Sequence, residues 1–362
     1  MIHGHGGNIF DNARQLGCNP ADILDMSSNV NPLGPMPGLI HHLALQLEQI
    51  TALPEADAGS ITRLFSDLHG MATEKVLAGN GTTQLIYILP GALKLRQILI
   101  LGPTYADYED ACRMNGVSYR CEYTDAPHGF RHDFNQLEAK LEHCNAVIIC
   151  NPNNPTGVLI PRETIMTLCQ KHPEILFILD ESYMPFVPDP MAQSLMTCNL
   201  PNVIVLNSMS KIFRIPGLRI GFVIAPPAII TSIARYMLPW SVNALAQAAV
   251  AYLMTHDPEV TAFIRETQNV LSAERQFVMD SLQSAFGLTL FPSVTSFILG
   301  ELKRHTAAEL AGYLLKDRIL IRNCANFGGL SERYFRISLK THAVNAMLAD
   351  RLRQFCAETA VP

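Results

Sequence analysis

An α/β fold is predicted, with a large domain on a mostly parallel, seven-stranded type of sheet and a smaller α+β domain after it. Three observations carry this expectation. From about residue 75 onward, short, nearly continuous apolar runs alternate with amphipathic stretches, the pattern of parallel strands covered on both faces by helices. After about residue 245 the pattern changes to one long helical stretch followed by shorter strands. Hydrophobic residues are 48% of the 362 and charged residues only 16%, enough apolar material for a large core and too much for a disordered chain.

The elements follow in order. Residues 1–35 are rich in Gly, Asn and Pro and read as an irregular arm. Pro37 opens a helix whose Leu39, Leu43, Leu47 and Ile50 form one apolar face. Residues 36–245 form the large domain, with strands at Gln97–Leu101, Ala146–Cys150, Ile175–Leu179, Val203–Leu206 and Ile220–Ala225. Residues 246–362 form the small domain. It begins within a helical stretch from Leu245 to roughly Phe286, followed by strands near Thr295–Leu299, Leu320–Arg322 and Tyr334–Ser338.

Several classes are disfavoured. The 27 Lys and Arg against 32 Asp and Glu give a net charge of −5 without a basic cluster, which argues against nucleic acid. No apolar run reaches the roughly 18 to 20 residues of a membrane span. The first residues lack the basic start and apolar segment of a secretion signal. Nine scattered cysteines without a CxxC pair read as reduced thiols, so a cytoplasmic location without a metal site is expected.

Ligands bind beyond the carboxyl ends of strands in open parallel sheets. Three predicted strands deliver polar groups there: Asn154 within Asn151–Gly157, Asp180, and Lys211 after Asn207-Ser208-Met209-Ser210. Each alone is unremarked: Asn-Pro-Thr-Gly is a good turn, and an Asp after a strand is often a cap. Spaced by 26 and 31 residues, an amide, a carboxylate and an amine together are what pyridoxal phosphate requires. Lys211 can form a Schiff base with its aldehyde. Asp180 can hold the pyridine nitrogen protonated, an attraction of roughly 4 kcal/mol at about 4 Å and an effective dielectric of about 20. Asn154 and Tyr183 can donate to the phenolic oxygen, and Tyr105 can stack on the ring. Gly81 and Thr82 open a helix whose free N–H groups suit the phosphate, joined by Ser208, Ser210 and Arg219.

The string from Ser210-Lys211 to Arg219-Ile220-Gly221 resembles the fold-type I, aspartate-aminotransferase-like pyridoxal-phosphate enzymes, over nearly the whole chain. Four segments resemble threonine-phosphate decarboxylases of cobalamin synthesis, with histidinol-phosphate aminotransferases close by. They are His5–Ile9, Asp25–Gly34, Pro239–Asn243 and Arg318–Phe327. The resemblance implies decarboxylation of L-threonine O-3-phosphate, with a phosphorylated amino acid as substrate and a homodimer as the assembly. Substrate phosphate is then expected at Arg322, with His5, Gly6 and Asn29 closing from the arm, and the carboxylate at Arg336. The bond at Cα held perpendicular to the ring decides between decarboxylation and transamination. Serine phosphate, one methyl smaller, is not distinguished by any residue. One departure is Leu53, where relatives commonly carry a Tyr before the Pro that reaches the neighbouring subunit's cofactor phosphate. A ligand-sensing regulator on this fold would join it to a DNA-binding helix-turn-helix, which is not expected where the sequence opens on the arm and keeps Lys211.

Overall fold

The computed structural model describes residues 6–358. The arm contributes a short strand, β1 (Leu24–Asp25). The central sheet contains β2 (Val76–Gly79), β3 (Gln97–Gly102), β4 (Ser118–Tyr123), β5 (Ala146–Cys150), β6 (Leu176–Asp180), β7 (Val203–Ser208) and β8 (Gly221–Ile224). Beyond it lie β9 (Leu288–Leu290), β10 (Phe297–Leu302), β11 (Ile319–Leu320), β12 (Arg322–Asn323) and β13 (Tyr334–Ser338).

The seven central strands run in the order β2-β8-β7-β6-β5-β3-β4. All neighbours pair parallel except β8, which is antiparallel to both β2 and β7. Alternation along the strands explains why the runs are apolar throughout. Val147, Ile149, Phe177, Leu179 and Val205 enter the core on one face of the sheet. Ala146, Ile148, Ile178, Ile204 and Leu206 enter a second core on the other.

A four-stranded antiparallel sheet, ordered β12-β13-β10-β9, forms the second layer system. The arm joins this part of the molecule: β1 pairs parallel with β11, and the Ser338 N–H donates to the Met26 carbonyl at 2.8 Å.

Four details differ from the sequence expectation. The arm is not wholly irregular, because Ile9–Leu16 is a helix capped by Asn8 and ended by a left-handed Gly17. The helix after Pro37 stops at Leu45, so Leu43 is buried but Leu47 and Ile50 are 52% and 66% exposed. The long helical stretch is two helices, Ala244–Thr255 and Asp257–Leu282, broken where Pro258 can start a helix but cannot continue one. The edge strand β4 has a polar sequence, since one side of it faces solvent, and no apolar run marks it. Among the described residues no helix is long and apolar enough to cross a membrane, and no cluster of His, Cys, Asp and Glu could hold a metal ion.

Candidate active site

The carboxyl ends of β2, β3, β5, β6 and β7 and the amino end of antiparallel β8 all lie at one edge of the central sheet. Two adjoining cavities open there. The inner one is lined by Gly81, Thr82, Tyr105, Asn154, Asp180, Tyr183, Ser208, Ser210, Lys211 and Arg219. Gly6, Asn29, Arg322 and Arg336 line the outer one, which shares Tyr105, Asn154, Tyr183 and Lys211 with the inner. His5 lies outside the described residues.

Lys211 sits on the short helix Met209–Ile212 directly after β7. Part of its surface opens to the cavities, yet its surroundings are deep enough to push the ammonium down to about 8. Burial is the main cause, helped by the Arg219 and Arg336 charges and opposed by Asp180. Arg219 adopts a left-handed backbone with φ 56°, a conformation disfavoured outside glycine. Its guanidinium donates to the Pro216 carbonyl at 3.2 Å and to Thr83 Oγ1 at 3.4 Å.

Opposite it, Gly81 starts the helix Gly81–Ala92 with φ 72°. A Cβ there would stand 2.7 Å from Arg219 Nη2, so the backbone itself forms that wall. The first-turn N–H groups of such a helix have no intrahelical acceptor and suit an anion.

Asp180, buried at the end of β6, accepts from the Tyr108 hydroxyl at 2.8 Å and from the Ser182 N–H at 3.0 Å. Burial and the Asp180 charge push the Tyr108 hydroxyl well above its ordinary range, so it stays a donor. Tyr105 packs edge-on against Tyr108 at 5.7 Å between ring centres. Tyr183 is buried, which raises its hydroxyl to about 12, and accepts from Asn29 Nδ2 at 3.1 Å. Asn29 in turn accepts from Ser338 at 2.7 Å.

The Arg336 guanidinium donates to Asn154 Oδ1 and, at 2.8 Å, to the Ser27 carbonyl. That bond orients the Asn154 amide so that its nitrogen is the donor available to the cavities. Arg336 is buried over the Phe297 ring, and its Nε, itself buried, has no partner among the described residues. Arg322, half-buried over Phe327, donates to Asn326 Oδ1 at 2.6 Å. Burial lowers it to about 10, still charged near neutrality. On the arm, a Cβ at Gly6 would meet the Ser27 carbonyl oxygen at 2.6 Å, and the Gly7 N–H donates to Ser27 Oγ at 2.7 Å.

Sequence reasoning missed Tyr108, Thr83 and Ser27. Thr83 directly follows Gly81 and Thr82 in the turn that opens the helix. Tyr108 reads as a core aromatic, and Ser27 contributes a backbone carbonyl, which no side-chain pattern reveals. Leu53 is 74% exposed and lines neither cavity.

The inner cavity therefore brings together hydroxyls and a cation near a helix start, a carboxylate and an amine of lowered pKa. That set fits a phosphorylated pyridine aldehyde. Comparison with known proteins agrees. The profile described as Aminotransferase class I and II matches residues 21–352. The threonine-phosphate decarboxylase of Salmonella typhimurium is 33% identical over 96% of this chain and 95% of its own length. The histidinol-phosphate aminotransferase of Moorella thermoacetica is 29% identical over 97% and 90%. The chain covers only 40% of the length of the bifunctional adenosylcobalamin biosynthesis protein of Leptospira interrogans, at 31% identity over 96% of this chain. The crystal structure of L-threonine-O-3-phosphate decarboxylase from Porphyromonas gingivalis superposes with a TM-score of 0.83 at 32% identity, covering 92% of this chain and all of that one. The chain belongs to the class I and II aminotransferase family, the fold-type I enzymes that depend on pyridoxal phosphate.

Proposed function

We propose that this protein decarboxylates L-threonine O-3-phosphate to (R)-1-aminopropan-2-yl phosphate, a step of cobalamin biosynthesis, as a cytoplasmic homodimer. The observation that carries the reading is the outer cavity, where Arg322 and Arg336 face the same space beside Lys211. Two fixed guanidinium groups beside an amine suit a substrate with two anions. Relatives named as threonine-phosphate decarboxylases support the same substrate.

Bound pyridoxal phosphate supplies an electron sink for the pair left when the Cα–carboxylate bond breaks. In this reading Gly81, Thr82, Ser208, Ser210 and Arg219 hold its phosphate, Asp180 its ring nitrogen, and Asn154 and Tyr183 its phenolic oxygen. Tyr105 covers one ring face. Arg336 binds the substrate carboxylate from the wall of the outer cavity, and Arg322 binds the substrate phosphate with Gly6, Asn29 and His5 of the arm. An amine with a pKa near 8 holds or releases a proton at little cost near neutrality, so Lys211 can return a proton to Cα. The proposed division of labour follows the arm (residues 1–35), a cofactor domain (36–245) and a small domain (246–362). Leu53 and Trp240 are both exposed apolar side chains, and the Trp240 N–H bonds the Ala56 carbonyl at 2.9 Å, three residues past Leu53, so this region suits a second copy.

The test is product identification. Incubation with threonine phosphate should release carbon dioxide and the amino alcohol phosphate. Histidinol phosphate with 2-oxoglutarate is the second reading, favoured by the 29% identical aminotransferase. Glutamate formed there, without carbon dioxide from threonine phosphate, overturns the proposal. Serine phosphate belongs in the same assay, because one methyl is worth only about 1–3 kcal/mol.

A further inference from the structure

Asn31 has no place in the mechanism above, yet it is 0% exposed and each of its polar groups is bonded. Its N–H donates to the Lys211 carbonyl at 3.0 Å. Its Nδ2 donates to the Ile212 carbonyl and to Thr267 Oγ1, both at 2.8 Å. Its Oδ1 accepts from the Leu33 N–H at 2.9 Å.

Lys211 and Ile212 are the last two residues of the helix Met209–Ile212. The final carbonyls of a helix have no acceptor role inside it, and in so short a helix the ends are most of the structure. Asn31 supplies a donor to each, its backbone N–H to the Lys211 carbonyl, which also accepts from the Arg214 N–H at 3.3 Å, and its side chain to Ile212. Thr267 belongs to the helix Asp257–Leu282, which connects the central sheet to the small one, so one side chain ties together arm, lysine turn and connecting helix. Two residues before it, Asn29 is bonded to Tyr183 and Ser338, and Ser27 gives its carbonyl to Arg336. The stretch that lines the outer cavity is thus the stretch that holds the lysine backbone.

We propose that Asn31 is a positioning residue for Lys211: it locks the peptide groups of Lys211 and Ile212 to the arm, so the root of the amine moves only with the arm. The inference rests on the reading of Lys211 as the cofactor-holding lysine. Its chemistry is directional. An Asp at this position has the same shape but presents an oxygen to two acceptors, because the Thr267 hydroxyl is already donated to the Phe263 carbonyl at 2.8 Å.

The experiment uses the holoenzyme and three variants. Asn31→Asp and Asn31→Ser remove the amide donor to the Ile212 carbonyl and to Thr267, the second without adding charge, while the backbone bond to the Lys211 carbonyl stays; Thr267→Val removes the contact to the connecting helix. Both Asn31 variants should lower kcat with threonine phosphate by about 10- to 100-fold, the scale of a misplaced reacting group. KM should stay within about threefold, since substrate contacts remain. The pH midpoint of the bound cofactor's visible band should move by at least about half a unit, because the amine's surroundings change. Thr267→Val should lower Tm while leaving the midpoint and kcat in place. An Asn31→Ser holoenzyme with an unmoved midpoint and kcat overturns the proposal. So does a Thr267→Val shift as large as that of Asn31→Ser, which would mean general loosening. Failure of both Asn31 variants to fold overturns it too, because the residue then serves folding. A wild-type band that persists unchanged in Lys211→Ala would sink the reading of Lys211 itself, independently of Asn31.

Discussion

Arg336 donates directly to Asn154, so the buried cation of the small sheet and the amide at the end of β5 form one unit. The amide can present its nitrogen to the inner cavity only while the guanidinium holds its oxygen. A group proposed to read the substrate carboxylate therefore also sets a group proposed to touch the cofactor. Arg336→Lys and Asn154→Ala should each lower kcat/KM by about 100-fold or more, and the double variant should lose less than the product. A coupling of about 1–3 kcal/mol is expected for such a contacting pair. Strictly additive losses would show that the two act separately.

Lys211 makes the cofactor-free chain sensitive to pH. Its amine is lowered from 10.5 to about 8, so between those values the unfolded chain binds more protons than the folded one. Stability therefore rises with pH through that window, and the whole cost of the buried charge is present below it. Discounted for the part of Lys211 that remains open, Lys211→Met should stabilise the cofactor-free protein near neutrality by about 2–3 kcal/mol. The gain should disappear above pH 10.5. Urea unfolding at both pH values is the measurement.

Gly81→Ala should weaken cofactor binding by about tenfold or more, since a side chain at φ 72° costs about 1–3 kcal/mol and its Cβ displaces the Arg219 guanidinium. Fluorescence titration of the cofactor-free protein reads this directly. Unchanged affinity would mean that Arg219 shifts without consequence and that the phosphate sits elsewhere.

Arg322→Gln separates the two anions of the substrate. Loss of a charge-assisted contact worth about 1.5–3 kcal/mol should raise KM for threonine phosphate by about 10- to 100-fold. The change in kcat should be small, and inhibition by inorganic phosphate should weaken in parallel. Asn326→Ala, which removes the brace at 2.6 Å, should fall between this variant and the parent.

Leu53→Tyr tests the interface. If a second copy covers the surface around Leu53 and Trp240, the added hydroxyl should tighten cofactor binding by a few-fold, about 1 kcal/mol for one new hydrogen bond. Sedimentation should show a dimer for both proteins. A monomer at working concentration would remove the interface from the site.

Much of the site was legible because β5, β6 and β7 are buried on both faces. Their apolar runs end abruptly, and Asn154, Asp180 and Lys211 stand just where each run stops. The turn at Gly79-Asn80-Gly81 was legible for a similar reason, as a turn feeding a helix. Relations between distant segments were not. Nothing local in Arg336 points to Asn154, and nothing in Asn31 points to Lys211, since both bonds depend on how the arm and the small sheet dock. Strand β4 was hidden because an edge strand need not be apolar. Leu47 and Ile50 keep a helical period with Leu39 and Leu43, but periodicity does not say which turns of a helix persist or which apolar residues remain uncovered.

The reversed direction of β8 has a consequence for how the site assembles. Asn154 and Asp180 precede crossover connections between parallel strands, which must close long loops before any pairing rewards them. Ser208 ends β7, and Ser210, Lys211 and Arg219 lie in the single connection between β7 and its antiparallel neighbour, a link that needs no crossover. During refolding the lysine and its cationic companion should gain hydrogen-exchange protection as one local unit. The amide and carboxylate should follow only when the parallel strands zip beside them, so the serines and arginine of the phosphate grip are in place before the groups that meet the ring, with Gly81 and Thr82 joining when β2 pairs with β8.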